Sequence, residues 1–276
     1  MSGKNIKFIM EIVKKKGIRS VFSVKEKIFL SPHYIRVIFE MTEQQVKKFG
    51  NAQIGAHNKI FIPAPGSGEV LFPDDAEESG KVASVKRTYT TRQIDLLKKE
   101  LWVDFIDHAD HGPASYWASR AVGGSKLGIA MKEGGRALFP DVTAYFFVGD
   151  STAIPVIGAM MEQLPPHVQV KVILEVHGEE DVISLPSKAN ATIDWVYNAQ
   201  PEMGSKLFQV VWDLSLTNHH SFFFFAGEYD SAKKIRQHCR ETLGWLPASY
   251  SVVSYWKRGA SEDESSLERS ADRAYV

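Results

Sequence analysis

The hydrophobic pattern of the chain changes once, near residue 140, and that change limits the folds open to it. From residue 18 to 106 the apolar residues fall in short β-rich runs: Ser20–Val24, Ile28–Leu30, Tyr34–Glu40, Lys59–Ile62, Lys86–Thr91 and Leu101–Ile106. Turn signals such as Ser31-Pro32-His33 and Pro63-Ala64-Pro65-Gly66 separate them. Short strands at that spacing predict an antiparallel barrel. Within it, Thr42–Phe49 reads as a helical turn, and the acidic, Gly-ended stretch Asp74–Lys81 as an exposed loop. Ser115–Val122 reads as a helix and Lys126–Ala130 as the closing strand. Gly134, Gly135 and Pro140 then break the pattern, and the domain boundary is placed at 139/140.

Beyond it, strands are apolar nearly throughout and alternate with helices. Ala144–Val148, Val168–Glu175, Thr192–Tyr197, Phe222–Ala226 and Tyr250–Tyr255 read as strands; Thr152–Gln163 and Ser231–Thr242 read as helices; Lys206–Trp212 fits either. Continuous apolar strands need cover on both faces, so a mostly parallel α/β sheet is expected. Ligands of such sheets lie at the carboxyl ends of the strands, where Gly149-Asp150-Ser151-Thr152 and Ala226-Gly227-Glu228 fall. The fold class is therefore β + α/β, a barrel followed by an α/β domain. Residues 5–16 predict a short amphipathic helix, and Ser261 with Glu264 has capping-box spacing for a helix over 262–272, with a disordered tail as the competing view.

Composition excludes several classes. Lys and Arg balance Asp and Glu at 33 each, so global charge points to neither nucleic acid nor membrane. Residues 1–60 do carry twelve Lys or Arg against four Glu, read as a solvated basic face. The one cysteine, Cys239, excludes an intramolecular disulfide and a Cys-ligated cluster, and reads as a structural thiol on a helix. The histidines offer no convincing ligand spacing: His108 and His111 are three apart, and His219 and His220 are adjacent. No metal site is expected. No run of about 18 apolar residues suggests a membrane span, and no secretory h-region is present. A cytoplasmic protein, working as a monomer, is expected.

Two short segments carry chemistry. Residues 87–92 read Arg-Thr-Tyr-Thr-Thr-Arg, an aromatic with hydroxyls and two guanidinium groups. Residues 111–115 read His-Gly-Pro-Ala-Ser, a turn opening a helix. Free N–H groups at a helix start suit phosphate oxygens, guanidinium suits bidentate phosphate contact, and an aromatic flanked by hydroxyls suits a flat polar-edged ring. Together they fit a flavin dinucleotide. Read alone, the first segment is a strand with an exposed Arg and a half-buried Tyr, and the second a turn with a helix cap; the joint occurrence shifts the balance.

In these segments, in Asp107–Ala118, in Gly149–Pro155, and in Ala226-Gly227-Glu228 with Tyr255–Gly259, the chain resembles the siderophore-interacting proteins, flavin-dependent ferric-siderophore reductases of the ferredoxin-reductase-like superfamily. It departs from the common family pattern at Thr91 (often Pro), at Ser151 (often Glu) and across Val122–Ser125 and Met131–Gly135. The resemblance implies an FAD-binding barrel domain at 1–139 and an α/β electron-donor domain at 140–276. It implies FAD held by Arg87, Tyr89, Thr90 and Thr91 on the ring side, by Arg92, Gly112, Pro113, Ala114 and Ser115 at the pyrophosphate, and by His108 and Thr152 nearby. It implies a ferric siderophore as substrate, met by Lys257 and Arg258, with Lys48 as a weaker candidate from the barrel side. The donor is left open among NADH, NADPH and reduced ferredoxin, because no complete G-x-G-x-x-G is present. Two other readings share the sequence: a flavin-dependent reductase of ferredoxin, quinone or free flavin, and a siderophore-binding module without turnover.

Overall fold

The computed structural model describes residues 17–107, 112–135, 137–214, 216 and 220–260. The expected helices over 5–16 and 262–272, and His108 and His111, lie outside them.

The first half is one curled antiparallel sheet. Its elements are β1 (Gly17–Ser31), β2 (Tyr34–Glu40), α1 (Glu43–Phe49), β3 (His57–Ile62), α2 (Pro73–Ser79), β4 (Val85–Thr90), β5 (Gln93–Asp95), β6 (Glu100–Ile106), α3 (Pro113–Arg120) and β7 (Lys126–Lys132). The seven strands run in the order β4-β3-β7-β1-β2-β6-β5. The sheet curls until edge strand β4 reaches β6: the Tyr89 and Phe105 ring centroids are 4.7 Å apart. Phe22, Phe39, Phe49, Leu101, Phe105, Leu127 and Ile129 fill the interior.

Besides the short β5, which the sequence reading does not contain, two elements differ from it. The runs Ser20–Val24 and Ile28–Leu30 belong to one strand, β1, which pairs β7 over its first half and β2 over its second. A register shift between Val24 and Glu26 marks the change of partner. The polar stretch there looks like a break in sequence, but a bulge absorbs it; Lys25 reaches Glu100 at 2.6 Å and Lys27 donates to the Ser119 carbonyl. The second difference is α2, expected as a loop. Pro73 at the first position, Asp74 and Asp75 in the first turn and Gly80 in the left-handed region at φ 66° are helix signals. Only Ala76 is buried, so no apolar stripe announces the helix.

The second half is a five-stranded sheet, parallel throughout, in the order β10-β9-β8-β11-β12. Its elements are β8 (Ala144–Asp150), α4 (Ile154–Gln163), β9 (Gln169–Val176), β10 (Asn190–Tyr197), α5 (Leu207–Asp213), β11 (Ser221–Glu228), α6 (Tyr229–Gln237) and β12 (Tyr250–Trp256). Helix α4 covers one face, with Ile157, Met160 and Met161 against Phe147 and Phe224. Helices α5 and α6 cover the other, with Leu207, Val211 and Ile235 against Phe223 and Phe225. Every residue of β11 is buried, which explains its unbroken apolar run. Strand order reverses between β8 and β11, the switch point where such sheets leave a crevice. Glycines let the two strand ends approach: a Cβ at Gly227 would lie 2.7 Å from the Asp150 carboxylate, and one at Gly149 2.7 Å from the Ala226 carbonyl. Among the described residues no helix is long and apolar enough to cross a membrane.

Candidate functional site

Phe105 joins the first chemical segment to α3. Tyr89 packs on it from β4, and Trp117 of α3 packs on it at 5.7 Å between centroids. In register, Arg87 and Tyr89 lie opposite Ile60 and Asn58 of β3 and share their face of the sheet. Thr88 and Thr90 take the other face, opposite Lys59 and His57. Thr91 is structural in its contacts: it accepts from Asn58 Nδ2 at 3.0 Å, and its amide donates to the Ala56 carbonyl. Asn58 Oδ1 is buried and lacks a hydrogen-bond partner, an orphaned acceptor beside Tyr89.

The start of α3 opens on a glycine. Gly112 sits at φ 118°, a conformation suited to glycine, and a Cβ there would meet nothing within 4 Å. Pro113 occupies the first helical position, Gly112 at the N-cap makes no side-chain bond, and the first turn itself holds no acidic residue. The amides of Ala114 and Ser115 fall among those that helix geometry leaves without an intrahelical acceptor. The Ser115 hydroxyl donates to Asp107 at 2.8 Å, tying the helix to the end of β6. These residues fit a dinucleotide: an aromatic with Arg87 on one side, the first turn of α3 on the other.

Arg92 is placed elsewhere. Its guanidinium is 4% exposed and donates twice to Glu162 of α4, at 2.5 and 3.1 Å. Its Nε lies 3.8 Å from Asp104, whose side chain is fully buried and also accepts from Arg36 twice at 2.8 Å and from Tyr34 at 2.9 Å. Arg92, expected at the pyrophosphate, is thus held by two carboxylates where the two halves of the chain meet. Gly158 of α4 makes room, since a Cβ there would lie 3.3 Å from the Arg92 guanidinium. A cleft of about 470 Å³ opens at this seam, and its lining includes Arg36, Arg92, Trp102 and Glu162 but neither Tyr89 nor the α3 start.

The carboxyl ends of the parallel sheet face β4. The Tyr255 hydroxyl, at the end of β12, hydrogen-bonds Thr90. Beside it, Asp150 accepts from the Thr152 amide at 2.9 Å and from the Thr152 hydroxyl through one oxygen, and from Trp256 Nε1 at 2.8 Å through the other. Thr152, expected near the flavin, therefore directs its hydroxyl to Asp150. Glu228 caps α6 and receives the Arg258 amide at 3.4 Å. The Lys257 ammonium lies 5.0 Å above the Tyr229 ring, and Arg258 is exposed, bonding the Glu202 carbonyl. Lys257 and Arg258 thus come two and three residues after Tyr255, which touches Thr90. Lys48 does not join them: it sits on α1 and donates to the Arg19 carbonyl of β1, three strands from β4 in sheet order.

His57 and Lys59 were missed from sequence. They share the Thr88–Thr90 face, and Lys59 donates to the Thr88 hydroxyl. Beginning β3 at Lys59 hid His57, and the partner strand that sets the face cannot be read from one run.

Burial raises the Asp150 carboxyl to about 6 against the bonds from Thr152 and Trp256, with Glu175 adding to the rise. The folded protein keeps this proton up to about pH 6, while the unfolded chain releases it near 3.8, so folded stability falls as pH rises through that window. We expect the stability of the wild type relative to Asp150→Asn to drop between those two pH values and stay level above pH 7. Denaturant titrations across that range check it; a flat difference would mean the carboxyl ionises normally.

This is the fold of a ferredoxin-reductase-like flavoprotein. Residues 23–135 match the Siderophore-interacting FAD-binding domain family, and residues 142–259 match the Siderophore-interacting protein family. The chain belongs to the siderophore-interacting protein family, and its first half is an FAD-binding domain. It is 29% identical over 252 residues to the ferric vibriobactin reductase ViuB of Vibrio cholerae, covering 88% of this chain and 91% of that protein. Among solved structures, the siderophore-interacting protein SipS from Aeromonas hydrophila superposes with a TM-score of 0.77 at 29% identity, covering 93% of this chain and 98% of that one. A siderophore utilization protein from T. fusca superposes with a TM-score of 0.78 at 25% identity, covering 89% and 95%. A ferredoxin NADP+ reductase from Neisseria gonorrhoeae, 13% identical with a TM-score of 0.59 and covering 86% and 99%, shares the fold.

Proposed function

We propose that this chain is an FAD-dependent reductase that passes electrons from NADH, NADPH or reduced ferredoxin to an Fe(III)-siderophore and releases Fe(II). The observation that carries the reading is the packing of Tyr89 and of Trp117 from α3 on Phe105, with Thr90 bonded on the other face of β4 to Tyr255. Arg87 and Tyr89 hold the ring, and the α3 amides hold the pyrophosphate. When bound, FAD would take up two electrons, as a hydride from a nicotinamide or one at a time from ferredoxin, and give them up singly, as Fe(III) reduction needs. Fe(II) is held far less tightly than Fe(III) by siderophore oxygens, so reduction frees the metal. Similarity to a ferric vibriobactin reductase over most of both chains supports the substrate class.

Lys257 and Arg258, beside Tyr255, supply positive charge for an anionic ferric chelate. Lys257→Ala and Arg258→Ala should weaken binding of ferric catecholates while FAD content stays unchanged. The loss should shrink with salt, since exposed charges are screened beyond about 8 Å at physiological ionic strength. Titrating the oxidised protein with an anionic and a neutral ferric chelate, at low and high salt, checks this. Equal losses for both chelates would assign these residues to packing, and no loss for either would remove them from the substrate site.

A further inference from the structure

We propose that His33, His177, Glu180 and Asp181 form a divalent transition-metal site that clips the two domains together. Each offers one ligand atom, and the four atoms lie within 4.8 Å of one another. His33 stands in the β1–β2 turn of the first domain; the other three follow β9 in the second. The imidazoles face each other with ring centroids 4.7 Å apart. His33 Nδ1 lies 2.8 Å from Asp181 Oδ2, and His177 Nδ1 lies 3.1 Å from Glu180 Oε1.

Two imidazoles with two carboxylates form a mixed nitrogen and oxygen set. Such sets suit Zn²⁺ and its first-row neighbours, including Fe²⁺, whereas Mg²⁺ and Ca²⁺ prefer oxygen alone. The two carboxylates balance the charge of a dication. Tetrahedral bonds of about 2.0–2.2 Å set ligand atoms about 3.4 Å apart, so the two hydrogen-bonded pairs open slightly while the more distant pairs draw together. His177 and Glu180 are exposed and free to make that adjustment, while Asp181 is buried and fixed. Its other oxygen, Oδ1, accepts from the Ser31 hydroxyl at 2.6 Å and the His33 amide at 3.1 Å. Such outer bonds orient a ligating carboxylate and leave Oδ2 for the ion. The ligands come from segments 148 residues apart, which is why histidine spacing gave no sign of them. An ion here joins the β1–β2 turn to the loop after β9 and adds its binding free energy to the folded, docked state.

The test does not depend on the proposed reductase activity. Untagged, FAD-loaded protein is stripped with a chelator and titrated with Zn²⁺ against a chromogenic indicator, with thermal unfolding followed in parallel. One equivalent should bind at micromolar concentration or tighter and raise the unfolding temperature. His177→Ala and Glu180→Ala, both at exposed positions, should each lower affinity by at least ~10-fold, and His219→Ala with His220→Ala should not. Fe²⁺ under anaerobic conditions should bind more weakly than Zn²⁺ and lose affinity in the same variants. Millimolar Mg²⁺ should not compete. Absence of a saturable equivalent, or Zn²⁺ binding indifferent to both variants, would overturn the site and leave the cluster as a hydrogen-bonded contact between domains.

Discussion

Asp104→Ala should be the most destabilising single change at the domain seam. The Asp104 side chain is fully buried and is shared by Arg36, Tyr34 and Arg92. Removing it leaves the Arg36 guanidinium without its carboxylate and Arg92 with Glu162 alone. Breaking a buried pair by deleting one partner costs about 3–5 kcal/mol, because the other charge stays buried without compensation. For a chain of this length that corresponds to a fall of roughly 6–20 °C in unfolding temperature. Glu162→Gln should cost less, since the Glu162 side chain is 29% exposed and Arg92 keeps Asp104. Calorimetry of both variants in the FAD-loaded form checks the ranking. Near wild-type stability for Asp104→Ala would mean that water or a rearranged Glu162 satisfies the two guanidinium groups.

Arg87→Ala and Tyr89→Ala should each lose FAD while staying folded. A bond from a charged donor contributes about 1.5–3 kcal/mol, more than a neutral one, so affinity should fall by ~10-fold to ~100-fold. Tyr89 also packs on Phe105, so its removal exposes the platform shared with Trp117. Arg92→Ala separates the two ends of the Arg-Thr-Tyr-Thr-Thr-Arg segment. Its cost should appear in stability rather than in FAD affinity, because its guanidinium pairs with Glu162 and Asp104. Fluorescence titration of stripped protein with FAD, beside circular dichroism, tells the two effects apart. Stoichiometric FAD at wild-type affinity in both Arg87→Ala and Tyr89→Ala would make the segment structural.

Much of the architecture is legible in the sequence because it rests on local periodicity. The fully buried run of β11 and the turn-separated runs before residue 106 identify two kinds of sheet without tertiary information. The misses are of another kind. The bulge in β1 hides a long strand behind Lys25 and Lys27, whose partners lie 75 and 92 residues away. Helix α2 lacks a buried stripe and is announced only by its ends. The run 87–90 and the turn at 112–115 stand out as candidates in the sequence because each carries its chemistry locally. The placement of Arg92 is not readable there, because it is decided by Glu162, 70 residues on. The His33 cluster is unreadable for the same reason.

Electrons should leave this protein from a bound flavin to siderophore-held iron. The most direct measurement is a single anaerobic mixing experiment. Purified protein with its own FAD is reduced photochemically, excess reductant is removed, and a ferric tris-catecholate is added with a ferrous-specific chelator. The flavin absorbance should return as ferrous complex forms, with two Fe(II) per FAD because the reduced cofactor carries two electrons. Lys257→Ala should slow the return without changing that ratio. A flavin that stays reduced, or ferrous complex forming at the rate seen with protein-free reduced FAD, would contradict the account.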